Sequence, residues 1–194
     1  MTMDTNMMVA VVVIVALIAI AAFMHFRRRQ SQTLEKHFGP EYGRAVDEFG
    51  SRPKAEAELM ARKKRVEKLH IVPLAPHDAA RFGQEWQRLQ AGFVDNPKAA
   101  LAEADNLVRD LMQKRGYPMA DFERRAADIS VDHPHVVDHY RAAQAIAFLD
   151  RRGEADTEAL RKAVVHYRAL FDELLEVRSP QRDTREMEPI HEHR

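Results

Sequence analysis

The sequence predicts an all-α protein: one N-terminal transmembrane helix followed by a five- or six-helix up-and-down style bundle. Three observations carry that expectation. Residues 7–26 are apolar at 19 of 20 positions and hold no Asp, Glu, Lys or Arg. Beyond them, apolar residues recur at steps of three and four, the period of a helix with one buried face. No stretch alternates apolar and polar residues over the length of a strand.

Composition narrows the class further. The 194 residues carry 30 Lys and Arg against 30 Asp and Glu, with both signs interspersed, which argues against nucleic acid as a partner. There is no Cys, so neither a disulfide scaffold nor a Cys-ligated zinc module is available. Outside residues 7–26 the chain has the mixture of a soluble domain long enough to bury its own core.

The apolar segment lies between Asp4 and Arg27, and its 22 uncharged residues at about 1.5 Å each match a hydrocarbon core of roughly 30 Å. Residues 1–6 precede it as a short N-terminal segment. Arg27, Arg28, Arg29 and Lys36 follow it and no cation precedes it, so the N-terminus is expected outside an inner or plasma membrane and the rest in the cytoplasm. The alternative is secretion after cleavage near Ala21, where Ala19-Ile20-Ala21 offers small residues. The acidic n-region, the length of the run and the arginines that follow weigh against it. The bilayer is thus the first expected partner.

Residues 27–53 read as a polar neck. Leu34, Phe38, Val46 and Phe49 recur near helical spacing, with a break at Gly39-Pro40 and a short helix from Pro40 to about Gly50. The bundle occupies residues 54–177. Its first helix, from Pro53 to His70, sets Leu59, Val66 and Leu69 on one face and a basic side elsewhere. From Pro76, the residues Ala79, Phe82, Trp86, Leu89 and Phe93 form a stripe that marks the central core helix. Asn96-Pro97 caps and opens the next helix, carrying Ala100, Ala104, Leu107, Leu111 and Met112, and Gly116-Tyr117-Pro118 stops it. Met119, Phe122, Ala126 and Ile129 make a short helix. Ser130 or Asp132 then caps a helix opening at His133-Pro134, with Val136, Tyr140, Ala143 and Ala147 inward and Gly153 closing it. Asp156-Thr157 begins the last helix, with Leu160, Val164, Tyr167, Phe171 and Leu174 inside. Residues 178–194 form a polar tail without periodicity, expected to be disordered.

No phosphate loop, dinucleotide fingerprint, H-E-x-x-H or G-x-S-x-G motif is present, so no catalytic residue and no cofactor are assigned. Two constellations remain. If a helix begins near His133, then His135 and His139 stand one turn apart beside Asp138, a spacing that lets two imidazoles share a metal; a third protein ligand is missing. His139-Tyr140-Arg141 is also echoed by His166-Tyr167-Arg168. Helices folding back near Glu154 and Ala155 would put both triplets in one layer, with His139 opposite Leu170. Those six residues are the candidate site for a metal or an anionic small molecule. His191 and His193 in the tail lack a fixed surrounding for metal binding. Arg62, Lys63, Lys64 and Arg65, together with Arg27, Arg28 and Arg29, are the candidate contacts to anionic lipid.

Phe38-Gly39-Pro40-Glu41-Tyr42, Phe93-Val94-Asp95-Asn96-Pro97, Arg115-Gly116-Tyr117-Pro118 and Ser130-Val131-Asp132-His133-Pro134 give the chain a resemblance to an uncharacterised family of bacterial membrane-anchored or nominally secreted helical proteins. The resemblance covers most of residues 30–177. It implies a bacterial inner-membrane setting and brings no activity. The leading expectation is therefore a non-catalytic scaffold or regulator that binds an unidentified protein at the membrane. The alternative is a metal- or anion-binding sensor or enzyme using the His/Tyr/Arg layer.

Overall fold

The computed structural model describes residues 5–175, with the side chains of Met8 and of residues 12–175 placed. Among the described residues there are eight helices and no strand: α1 Thr5–Phe38, α2 Pro40–Phe49, α3 Arg52–Val66, α4 Pro76–Gly92, α5 Pro97–Arg115, α6 Phe122–Asp132, α7 Val137–Arg151 and α8 Thr157–Leu174. The all-helical class is as expected. One part of the expectation is corrected.

Among the described residues, no helix is long and apolar enough to cross a membrane, which overturns the span expected over 7–26. The residues of that apolar segment belong to α1. The same helix continues without a break through Arg27, Arg28 and Arg29 to Phe38. The expected boundary between span and neck is therefore the interior of one helix. The helical bundle itself is as expected. Eight helices are arranged in two compact units, one containing α1, α2, α3 and Ala126–Val137, the other Leu69–Arg125 and the chain from Asp138. The expected disorder of 178–194, and with it His191 and His193, lies outside the described residues, as does the segment 1–4.

In the first unit, α1 packs against α2 and α3 through its C-terminal end, where Leu34 and Phe38 are buried. Gly39, at φ 50°, reverses the chain, and Pro40 opens α2 where a missing N–H leaves no helical bond unmade. Gly50, at φ 70°, ends α2 by donating its N–H to Val46 O. The buried face of α3 is Ala55, Leu59, Arg62 and Val66, at helical steps of four, three and four. Arg62 thus occupies a core position. Its Nη1 lies 2.9 Å from Glu41 Oε1 on α2, and its Nε lies 3.1 Å from Glu58 Oε1. One turn on, Arg65 Nε meets Asp128 Oδ1 of α6 at 2.8 Å. Ser31, Tyr42 and Glu56 share a hydrogen-bonded cluster joining α1, α2 and α3, with Tyr42 Oη donating to Glu56 Oε1 at 2.8 Å.

In the second unit, α5 lies between α4 and α8. The stripe of α4 is buried at Ala79, Phe82, Trp86 and Leu89, and Trp86 stacks on Phe171 of α8 with ring centroids 4.6 Å apart. Asn96 accepts a hydrogen bond from Ala99 N at 3.1 Å and caps α5, as its sequence predicts. Gly116, at φ 96°, closes α5 against the backbone of His70, so a Cβ at that position would overlap the His70 carbonyl oxygen. Val72 N–H donates to Arg115 O at 2.9 Å, fixing the incoming segment to the end of α5.

Candidate functional site

The α7–α8 seam of the second unit brings part of the expected layer together. Gly153, at φ 74°, ends the turn after α7, and Asp156 accepts from Ala159 N at 2.7 Å to start α8. On α7, Tyr140 and Ala143 face inward; on α8, Ala163, Tyr167 and Leu170 do. Tyr140 and Tyr167 are fully buried, with ring centroids 6.4 Å apart. Just outside them, His139 Nδ1 lies 2.9 Å from His166 Nδ1, the ring centroids being 5.1 Å apart at an interplanar angle of 37°. His139 was expected opposite Leu170; it meets His166 directly, about one helical turn away. The register of the two helices follows their packing around the tyrosines rather than the midpoint of the loop.

Each tyrosine hydroxyl has a different polar environment. Tyr167 Oη donates to Asp105 Oδ1 of α5 at 2.7 Å and accepts from Gln144 Nε2 at 2.7 Å, while Gln144 also bonds Asp105. Burial, then the Asp105 carboxylate, pushes the Tyr167 phenol well above its ordinary value. Tyr140 Oη accepts from Arg125 Nε at 3.0 Å, and its ring meets Phe122 edge-on at 5.0 Å. Burial raises the Tyr140 phenol against the opposing pull of Arg125. Burial lowers the His166 pKa, and the neighbouring His139 lowers it further, because an imidazolium there would lose water and face a second ring.

The arginines of the layer do not join the histidines. Arg141 Nη1 lies 3.8 Å from Asp138 Oδ1 on its own helix. Arg168 bonds Asp172 at 3.2 Å and Gln90 of α4 at 2.9 Å. The shared His/Tyr/Arg layer thus reduces to two histidines over two tyrosines. The His135–His139–Asp138 grouping also changes. Its helical spacing required a helix from His133, but α7 begins at Val137 and His135 sits in the preceding turn. Ser130 and Asp132, expected to cap that helix, lie within α6, where Ser130 Oγ donates to Ala127 O at 2.7 Å. Among the described residues, no group of three or more His, Cys, Asp or Glu is placed to hold a metal ion.

The expected lipid-contact residues divide in the same way. Arg27, Arg28 and Arg29 are exposed, as are Lys63 and Lys64. Arg62 is buried at 4% exposure in its pair with Glu41, and Arg65 is engaged with Asp128, so neither presents a free cation to a surface. Two open grooves, of about 260 and 560 Å³, lie between α4 and α5. Glu85, Arg88, Glu103 and Asp110 line the smaller, and Arg81, Asp110 and Lys114 the larger, so both are of mixed charge.

Asp105, Gln144 and Arg125 are the functional-looking residues that the sequence reading missed. The signal for Asp105 was present: Leu101, Asp105, Val108 and Met112 fall at steps of four, three and four, with an acid standing in an apolar stripe. No protein-family model matches the chain, and no curated protein and no solved structure matches it.

Proposed function

We propose that the protein is a non-catalytic interaction protein that stands at a lipid bilayer, the apolar part of α1 meeting lipid while the helical units engage a second protein. The observation that carries this reading is the exposure of α1. Leu17, Ile18, Phe23 and Phe26 are each more than 60% exposed, within a stretch from Val12 to Phe26 that is apolar except at His25. Apolar surface of that extent in contact with water is costly and marks a site that another apolar phase covers. Arg27, Arg28 and Arg29 follow at once on the same helix and are suited to anionic headgroups. The resemblance to bacterial membrane-anchored proteins points the same way.

The protein-binding half of the reading is supported by a smaller feature of the second unit. Phe148 and Val165 are each more than half exposed, on α7 and α8 respectively. Photocrosslinking from positions 148 and 165 in native membranes tests it. A discrete adduct that disappears when the other position carries Glu is expected. No adduct, or one indifferent to Phe148→Glu and Val165→Glu, contradicts protein binding at these positions.

A further inference from the structure

We propose that His139 and His166 form a two-histidine site, bridging α7 and α8, for a divalent transition-metal ion of the copper, nickel or zinc class. The site goes beyond the bilayer reading and does not depend on it.

The geometry is specific. The two Nδ1 atoms face each other at 2.9 Å across the seam. Metal–imidazole bonds of about 2.0 Å at a right angle separate their nitrogens by about 2.8 Å, and at a tetrahedral angle by about 3.3 Å. With ring centroids 5.1 Å apart the two lone pairs aim at each other, and a tilt of both rings that keeps this spacing opens the nitrogens to the tetrahedral separation and turns both lone pairs onto one ion. Without metal, one Nδ1–H donates to the other Nδ1 lone pair. With metal, both rings carry hydrogen on Nε2 and offer Nδ1, a change of tautomer through solvent that leaves each imidazole neutral.

Three further observations fit. His139 is exposed, so an ion and its completing waters have access from solvent. His166 is half-buried on α8, over the buried Tyr167, so one ligand is held by packing. Burial and the neighbouring ring also favour its neutral form, which is the ligand form. Two protein ligands leave the remaining positions to water, as in an open rather than a structural site.

The test is titration of the full chain with Cu(II) alone at pH 7.5, read by calorimetry and by the Cu(II) electron paramagnetic resonance signal. The expected result is one equivalent bound with nitrogen hyperfine structure. His139→Ala or His166→Ala should weaken it by at least the roughly 10- to 100-fold that loss of an outer-shell partner costs a metal site. A His191→Ala/His193→Ala variant should keep it. Thermal unfolding of each apo variant verifies the fold, and Cu(II) should raise the midpoint of the wild type and of the tail variant but not of the His139 or His166 variants. No binding by the folded wild type overturns the proposal. So does binding unchanged in the double His139→Ala/His166→Ala variant, or binding lost only with the tail histidines.

Discussion

Arg62 and Glu41 form an ion pair almost sealed from solvent, Nη1 standing 2.9 Å from Oε1 with the two side chains 5% and 1% exposed. A charge in that position is tolerated because its partner lies on the facing helix, α2, and Glu58 supplies a second oxygen. Removing one member leaves the other desolvated. Arg62→Ala should therefore destabilise the protein by about 3–5 kcal/mol. The double change Arg62→Met/Glu41→Leu should recover most of that loss. Urea unfolding of the three proteins decides; a cost for Arg62→Ala below about 1 kcal/mol, the value of a surface pair, contradicts the sealed geometry.

Two glycines with similar backbones should respond differently to alanine. Gly116 and Gly153 both have positive φ, 96° and 74°, but only Gly116 backs onto the His70 carbonyl. Gly153→Ala should cost about 1 kcal/mol of backbone strain. Gly116→Ala should cost clearly more, because the end of α5 must move away from Val72 as well. Equal shifts in the thermal midpoints would contradict the close approach.

Tyr167→Phe removes the hydroxyl that donates to Asp105 and accepts from Gln144. The expected cost is about 1–3 kcal/mol, the price of leaving a buried polar partner short of a bond. The phenols also set an alkaline limit. Burial raises both Tyr140 and Tyr167, so the unfolded chain releases these protons near pH 10 while the folded chain holds them. Their contribution is complete below about pH 10 and falls as pH rises beyond it. Urea midpoints of Tyr140→Phe/Tyr167→Phe at pH 8 and pH 10.5 should differ less than those of the wild type.

On the acid side, His166 acts in the opposite direction. Burial and His139 depress its pKa below the ordinary value of 6.5, so the unfolded chain takes up the proton first. The stabilising contribution is present above about pH 6.5 and is lost as pH falls. Unfolding midpoints at pH 7.5 and pH 5.5 should therefore lie closer together in His166→Gln than in the wild type. Identical separations would contradict a depressed His166.

Much of the helical plan was legible because its signals are local. The Ala79–Leu89 stripe, the Asn96 cap with Pro97 and the Gly116 stop each depend on neighbours within one or two turns, and each appears as read. Arg62 was misread as a solvent-facing cation because its partner Glu41 lies on another helix, and only packing brings the two together. The same holds for Asp105, whose role depends on Tyr167 of α8. The His139–His166 pairing was half legible: the repeated triplet pointed to one seam, but the register of antiparallel helices is fixed by side-chain packing, here of Tyr140 against Tyr167. The expected span failed at a different level. An apolar run was read as an element of its own, whereas its residues are part of α1, which continues to Phe38 through the polar sequence that follows.

The most direct test of the bilayer reading is flotation of the purified full chain with vesicles, neutral in one series and containing anionic lipid in the other. Wild-type protein should float with both, more strongly with the anionic vesicles. Leu17→Glu/Phe23→Glu should remain at the bottom of the gradient, while Arg27→Gln/Arg28→Gln/Arg29→Gln should lose only the preference for anionic lipid. Wild-type protein that stays soluble in the presence of both vesicle types, with its helical content intact, would contradict the assignment of the apolar face of α1 to lipid.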